Sequence, residues 1–175
     1  MKAELRNVVD GSECKNRTQI NIETDERYVS VEFRCEYAGD LYTPYGRYND
    51  PIYRGEVVEF FIGATDEETY FEFDLAANNT LFNARILYHE KYGAFTKVID
   101  EKFVLHSVDK KEKEYVARMK IPYDKIGGKD KRYAFNAYRI ACTDVGKEYQ
   151  ALNPVGKMDF QHREKFIELE IKEER

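Results

Sequence analysis

Apolar and polar residues alternate along most of this chain, and the pattern predicts β-strands rather than helices. The clearest case is residues 28–37, YVSVEFRCEY, where every second residue is apolar. Successive side chains of a strand point to opposite faces, so such a segment has one buried and one polar face. About nine segments of this kind, roughly ten residues apart, are typical of an antiparallel β-sandwich. They are residues 18–24, 28–37, 56–62, 69–75, 80–89, 102–107, 114–121, 132–140 and 165–171.

The segments 56–62 and 69–75 are predicted to form the central strand pair. The first is almost continuously apolar, and Glu59 interrupts it. The second has Phe or Leu at alternate positions, which gives the pair one dry face. The other face carries a tyrosine and three carboxylates, Tyr70, Glu59, Glu72 and Asp74. A row of this kind is either a solvated surface or the floor of a polar-ligand site, and the sequence leaves both open.

The composition indicates an all-β protein of one domain, residues 1–175. The chain has 14 Tyr, 11 Phe and no Trp, and Tyr and Phe favour strands. Its net charge is −5, and without a basic run no nucleic-acid partner is expected. No stretch approaches the roughly 18 apolar residues of a membrane span, so no membrane partner is expected. No signal peptide is visible, which favours a cytoplasmic protein, or a secreted one whose leader was removed.

Catalytic signatures are missing from the sequence. It has no Gly-rich phosphate loop, nucleophile elbow or HExxH motif. The cysteines Cys14, Cys35 and Cys142 lack metal-type spacing, so neither a metal site nor a cofactor is predicted. The acidic row could serve a glycosidase only if two carboxyls stood roughly 5–10 Å apart across a cleft. Charged residues on the outer face of a sandwich are commoner, so we predict no enzyme.

Two predicted loops, residues 38–51 and 141–163, carry several tyrosines. Aromatic rings can pack on the C–H face of a sugar, while carboxylates, Asn and Arg bind its hydroxyls. A sugar site is therefore expected if both loops lie at one end of the sandwich over the Glu59 strand. The alternative is that the tyrosines only hold the loops to the sheets.

Five motifs, in order along residues 28–171, resemble the family 9 carbohydrate-binding modules (CBM9), which are DOMON-type β-sandwiches. They are GEVVEFFI, YFEFDLAANNTLFNARI, IPYDKIGG, FNAYRI and ALNPVGKMDFQHREKFIELEI. The resemblance implies an immunoglobulin-like or jelly-roll sandwich that binds a mono- or oligosaccharide without catalysis, linked to carbohydrate catabolism. Modules attached to xylanases hold the sugar between two tryptophans, but this chain has no Trp.

The resemblance also suggests which residues would contact the sugar. The polar candidates are Glu56, Glu59, Asn136, Arg139 and Arg85, and the aromatic replacements for tryptophan are Tyr48, Tyr53 and Tyr149. Several polar candidates could instead be structural, for example if Arg139 pairs with Glu59 across the sheet. Asp40, Asn49 and Asp50 would suit a structural Ca²⁺ loop. The competing hypothesis is a structural or protein-interaction sandwich that has lost the sugar site.

Overall fold

Two antiparallel sheets face each other across an apolar layer in the computed structural model, which describes residues 1–170. The thirteen strands in this range are β1 Lys2–Glu4, β2 Arg6–Asn7, β3 Thr18–Thr24, β4 Tyr28–Glu36, β5 Val57–Ala64, β6 Thr69–Ala76, β7 Leu81–His89, β8 Gly93–Val98, β9 Leu105–Lys110, β10 Glu114–Pro122, β11 Tyr133–Thr143, β12 Gly146–Ala151 and β13 Ile167–Glu168. Short helical turns span Ile52–Arg54, Tyr123–Ile126 and Arg163–Lys165. None of these described helices is long and apolar enough to cross a membrane.

The smaller sheet has the strand order β1-β3-β4-β10-β9, and the larger sheet has the order β2-β12-β11-β5-β6-β7-β8, with β13 added to β11. The N-terminal segment crosses between the layers, because β1 belongs to the smaller sheet and β2 to the larger one. The prediction of an all-β antiparallel sandwich is confirmed.

The apolar layer forms because alternate residues of each strand face the opposite sheet. In β5 the even-numbered residues Val58, Phe60 and Ile62 are fully buried there. Residues of β4 and β10 complete this layer from the smaller sheet, including Phe33 and Met119. Burying apolar surface is the main favourable term in folding, so this layer holds the two sheets together.

A second apolar cluster lies on the outer face of the larger sheet. Phe61 of β5, Tyr70 of β6 and Tyr138 of β11 belong to it, and all three are fully buried. The chain between β12 and β13 covers part of this face with Val155, Phe160 and Phe166. We call residues 152–166 the cover segment. It makes the outer face of the larger sheet partly enclosed rather than open to solvent.

The alternating pattern missed four strands, β1, β2, β8 and β12. The predicted loop 141–163 was wrong in its first part, which completes β11 and contains β12. The strand predicted at 102–107 lies at Leu105–Lys110, and the strand predicted at 165–171 is reduced to Ile167–Glu168. Residue 171 and the predicted charged tail 172–175 lie outside the described residues.

Candidate functional site

A pocket of about 410 Å³ opens on the outer face of the larger sheet. Side chains from β5, β6, β7, β8, β11 and β12 form its base and sides, and the cover segment closes one flank. Carboxylates, an amide and aromatic rings converge in it, namely Glu59, Glu72, Gln161, Tyr53, Phe82, Tyr149 and Phe160. A small number of polar groups between aromatic walls is typical of a site that binds a small molecule.

Three carboxylates form the floor. Glu59 of β5 lies directly opposite Asp74 of β6 in the strand ladder, and Glu72 follows on the same face of β6. One ligand oxygen from each of these residues lies within 4.8 Å of those from the others. Asp74 is fully buried, while Glu59 and Glu72 retain only 3% and 6% exposure, at the pocket. The acidic row predicted from alternation is therefore enclosed rather than solvated.

Burial dominates the acid–base properties of this floor. It raises the pKa of Glu59 well above the usual range, and the charge of Glu72 adds to the shift. It also raises the pKa of Asp74 well above the usual range, with further contributions from Glu59 and Glu72. The pKa of Glu72 is raised by burial as well, although hydrogen bonds with the Gln161 amide and the Asp74 carboxyl oppose this. Each negative charge makes the next ionisation costlier, so the three carboxylates titrate together.

Aromatic rings form the walls. Tyr53, in the helical turn before β5, meets Phe82 of β7 edge to face at 5.9 Å between ring centroids. On the other flank, Phe160 of the cover segment meets Tyr149 of β12 edge to face at 6.2 Å. The cation of Lys147 lies 5.4 Å from the centroid of the Tyr149 ring. Tyr53 is 42% exposed, so much of its ring remains free for a ligand.

Gln161 connects the cover segment to the floor. Its amide nitrogen donates to Glu72 Oε2 at 2.9 Å, and its amide oxygen accepts a hydrogen bond from the Tyr70 hydroxyl. Farther along the segment, Arg163 donates to the backbone oxygens of Ala64 and Thr69, at 2.5 and 3.2 Å. The pocket wall is thus held by directional bonds as well as by apolar contacts.

Three of the residues predicted from sequence come together in the pocket: Tyr53, Glu59 and Tyr149. Asn136 is fully buried beside it and does not line it. Its amide nitrogen donates to the backbone oxygen of Asn153 at 2.9 Å, and its Oδ1 accepts from the Asn153 backbone nitrogen at 3.0 Å. In this structure Asn136 holds the start of the cover segment against the sheet.

Glu56 and Arg139 lie between the two sheets, away from the pocket. Their side chains are fully buried and form an ion pair of 2.8 Å. Arg139 thus has the structural role considered as an alternative, but its partner is Glu56 rather than Glu59. Arg139 follows Phe135 and Ala137 on the inner face of β11, whereas Glu59 points to the outer face. Since faces alternate along a strand, Glu56 shares the inner face with Val58 and Glu59 does not.

The remaining predicted ligands are also placed elsewhere. The Tyr48 hydroxyl donates to the backbone oxygens of Ile99 and Glu101 and accepts from the Asn83 amide. Arg85 bonds Glu67 at 3.1 Å and the Thr69 hydroxyl at 3.0 Å, at the surface. Among the described residues, none from 38–51 lines the pocket, so only one of the two predicted loops contributes to it.

The residues considered for a calcium loop have other partners. Asp40 lies beside Asp144, whose side chain accepts its backbone N–H. The Asn49 amide bridges Ile99 and Asn83, and Asp50 accepts the backbone N–H of Arg47. Within residues 1–170, the one group of three or more His, Cys, Asp or Glu residues close enough to share a metal is Glu59, Glu72 and Asp74.

Sequence reasoning missed Phe82, Phe160 and Gln161 as parts of this site. Phe82 occupies the outer face of β7 next to Asp74 in the register, so its placement could have been read from alternation. Phe160 and Gln161 lie on an irregular segment. No periodic signal shows where such a segment will dock.

No family model and no curated protein sequence matches the chain. Among solved structures, a proposed carbohydrate-binding protein from Bacteroides uniformis aligns with a TM-score of 0.82 at 16% identity, over 98% of this chain and 86% of that one. A CBM9 module from Caldicellulosiruptor kristjanssonii in complex with glucose aligns with a TM-score of 0.66 at 11% identity, over 98% of this chain and 85% of the module. This chain has the fold of a family 9 carbohydrate-binding module.

A second CBM9 structure from Caldicellulosiruptor kristjanssonii, in complex with cellotriose, aligns with a TM-score of 0.59 at 10% identity. The alignment covers 93% of this chain and 75% of that module. The three structures share the path of the backbone with this protein over nearly the whole chain. They confirm the CBM9-like sandwich that the five sequence motifs indicated.

Proposed function

We propose that this chain is a non-catalytic carbohydrate-binding module and that its pocket holds the sugar. The observation that carries the proposal is the pairing of aromatic walls with a carboxylate floor in one pocket of about 410 Å³. Support comes from fold neighbours described as carbohydrate-binding, two of them in complex with glucose or cellotriose.

The two kinds of side chain match the two kinds of sugar surface. The exposed ring of Tyr53 and the half-buried ring of Tyr149 offer apolar faces for the C–H groups of a pyranose. Glu59 and Glu72 reach the pocket from below and can accept hydrogen bonds from sugar hydroxyls. Each aromatic contact contributes about 1 kcal/mol beyond its area, which fits a module of modest affinity.

The arrangement of the carboxylates supports binding rather than glycoside cleavage. Glycosidases need an acid and a base or nucleophile that flank the scissile bond. Glu59, Glu72 and Asp74 all project from the same face of two neighbouring strands. They form one floor. The fourth carboxylate of the pocket, Asp159 of the cover segment, is held by its own segment, because it accepts the backbone N–H of Gln161 at 3.0 Å and lies 3.3 Å from His162 Nε2.

Calorimetric titration with glucose, cellotriose and a broad glycan panel tests the proposal. We expect saturable binding by the unaltered chain and at least a tenfold weaker affinity for Tyr53→Ala, which removes an exposed wall of the pocket. Tyr92→Ala is the matched control, because Tyr92 is also exposed, at 64%, but lies outside the pocket. If no glycan binds, the proposal fails and the protein-interaction sandwich becomes the better hypothesis.

A further inference from the structure

The pocket floor has the composition of a cation site. Its three groups are all carboxylates, and their nearest ligand oxygens lie within 4.8 Å of one another. Glu59 and Asp74 are directly opposite each other in the β5–β6 ladder. Residues in such positions have Cβ atoms about 5 Å apart, so the two carboxyl groups are brought close together. Glu72 adds the third carboxylate from the next outward position of β6.

Asp74 provides a second and separate indication. Its carboxyl group is fully buried, and the Glu72 carboxyl is the one hydrogen-bonding partner that the described residues give it. Buried polar groups are nearly always satisfied, and a carboxylate that is left without a donor costs several kcal/mol. One carboxyl oxygen of Asp74 lies within 4.8 Å of the ligand oxygens of Glu59 and Glu72, and no described N–H group bonds the Asp74 carboxyl.

No positive side chain compensates this floor. Within residues 1–170, no Lys, Arg or His nitrogen lies within 4.0 Å of a carboxylate oxygen of Glu59, Glu72 or Asp74. The one donor that reaches the floor from the cover segment is the neutral amide of Gln161. Without a cation, burial keeps these carboxyls protonated, and buried carboxylates in proteins are normally paired or coordinate a metal. Here no side chain supplies the cation.

We propose that Glu59, Glu72 and Asp74 bind a calcium ion at the base of the pocket. Three carboxylates supply up to six oxygens, which fits the six to eight oxygen ligands of Ca²⁺. The group contains no sulfur or imidazole ligand, so it does not resemble the nitrogen- and sulfur-rich sites that zinc favours. Glu59 and Glu72 line the pocket, which gives the ion its route of access.

The site also has a consequence for the ligand, and this part rests on the proposed function. The pocket lies above the floor, so coordination positions not filled by the protein face the bound sugar. Two neighbouring hydroxyls of a sugar can occupy such positions as oxygen ligands. Calcium should then raise the affinity for a sugar, and by linkage the sugar should raise the affinity for calcium by the same factor.

Thermal unfolding of EDTA-treated protein, without any sugar, tests the calcium site alone. At a free calcium concentration about 100 times Kd, we expect the unfolding midpoint to rise by about 5–10 °C. Asp74→Asn should abolish the rise, since it removes one of the three carboxylate ligands. Glu68→Gln, an exposed substitution in the turn between β5 and β6, should respond like the unaltered chain.

Tyrosine-sensitised terbium emission gives a second readout, because Tb³⁺ replaces Ca²⁺ in oxygen sites and Tyr138 and Tyr70 lie on the same face. We expect emission that calcium displaces and that Asp74→Asn loses. An unchanged midpoint with calcium, or an equal rise in Asp74→Asn, would overturn the proposal. A rise with Mg²⁺ or Mn²⁺ but not with Ca²⁺ would also overturn it. Since no sugar is present, none of these outcomes decides whether the pocket binds carbohydrate.

Discussion

Phe160 stacks on Tyr138, with the ring centroids 4.3 Å apart and the planes 11° from parallel. Tyr138 belongs to β11, and Phe160 belongs to the cover segment, so this stack fastens an irregular segment to the sheet. Phe160 is also a wall of the pocket. Stability and ligand binding therefore depend on the same aromatic contact.

Replacing Phe160 by alanine should weaken both properties. We expect a loss of about 3 kcal/mol in the free energy of unfolding, measured by urea denaturation, because a nearly buried phenyl ring is removed. The affinity for a sugar should fall in parallel. Met158→Ala provides the control for stability, since Met158 lies on the same segment and is 61% exposed, and its cost should stay within about 0.5 kcal/mol. Equal stability losses in the two variants would contradict the role assigned to the stack.

Gly63 allows the close approach of Arg163 to the larger sheet. A Cβ at position 63 would overlap the Arg163 guanidinium and lie 2.8 Å from the Cβ of Tyr70. Gly63→Ala should therefore displace Arg163 from its two backbone oxygens, cost about 1–3 kcal/mol, and increase proteolysis in the cover segment. Gly46→Ala is the control, because no atom lies within 4 Å of a Cβ there. Unchanged proteolysis of Gly63→Ala would show that Arg163 does not hold the segment.

The floor carboxylates should make stability depend on pH. The pKa values of Glu59 and Asp74 are raised in the folded state by burial and mutual repulsion. The folded state then binds more protons than the unfolded state once the pH exceeds about 4, so stability falls as the pH rises towards the folded-state pKa. In EDTA, the free energy of unfolding should fall by at most about 1.4 kcal/mol per pH unit for each group.

The Asp74→Asn variant isolates this effect. It removes one titrating group and the repulsion on Glu59 and Glu72, so its stability should decrease less between pH 4 and 8, and at neutral pH it should exceed that of the unaltered chain. Glu68→Gln should show the unaltered dependence. The measurement is urea denaturation at a series of pH values in EDTA. Parallel curves for Asp74→Asn and the unaltered chain would refute the coupling.

The ion pair of Glu56 and Arg139 should respond strongly to loss of one partner. Arg139→Met leaves the Glu56 carboxylate buried, with hydrogen bonds from the Tyr115 hydroxyl and the Cys142 backbone nitrogen but no cation. We expect a cost of about 3–5 kcal/mol for this single substitution. The double variant Glu56→Leu/Arg139→Met should lose less than the sum of the two single variants. Additive losses in a denaturation cycle would show that the pair is not coupled.

Strands with one buried and one polar face could be found from the sequence, because burial imposes a period of two. Tyr28–Glu36, Thr69–Ala76 and Glu114–Pro122 were placed within a residue or so for this reason. Gly93–Val98 is an edge strand whose side chains are nearly all exposed, so no face selects apolar residues there. Arg6–Asn7 is defined only by pairing with β12, a tertiary relation that two residues cannot encode.

For the site, the alternation rule predicted the acidic floor, and it also excludes a pairing of Arg139 with Glu59. The floor residues Glu59, Glu72 and Asp74 share one face, as alternation requires. The pairing of Arg139 with Glu59 was one alternative, and alternation along this segment excludes it because it places Glu56, not Glu59, on the inner face. The docking of Gln161 and Phe160 depends on contacts between distant parts of the chain, and no local pattern encodes it.

The buried ion pair also connects the two layers. Arg139 belongs to the larger sheet and Glu56 directly precedes its strand β5, but Arg139 donates to the Thr18 hydroxyl and Glu56 accepts from Tyr115, both of the smaller sheet. Apolar contacts are non-directional and tolerate sliding, whereas these hydrogen bonds define one offset between the layers. The pocket occupies the opposite face of the larger sheet. We therefore expect ligand preference to be changeable by substitution on that face while the alignment of the two layers stays fixed.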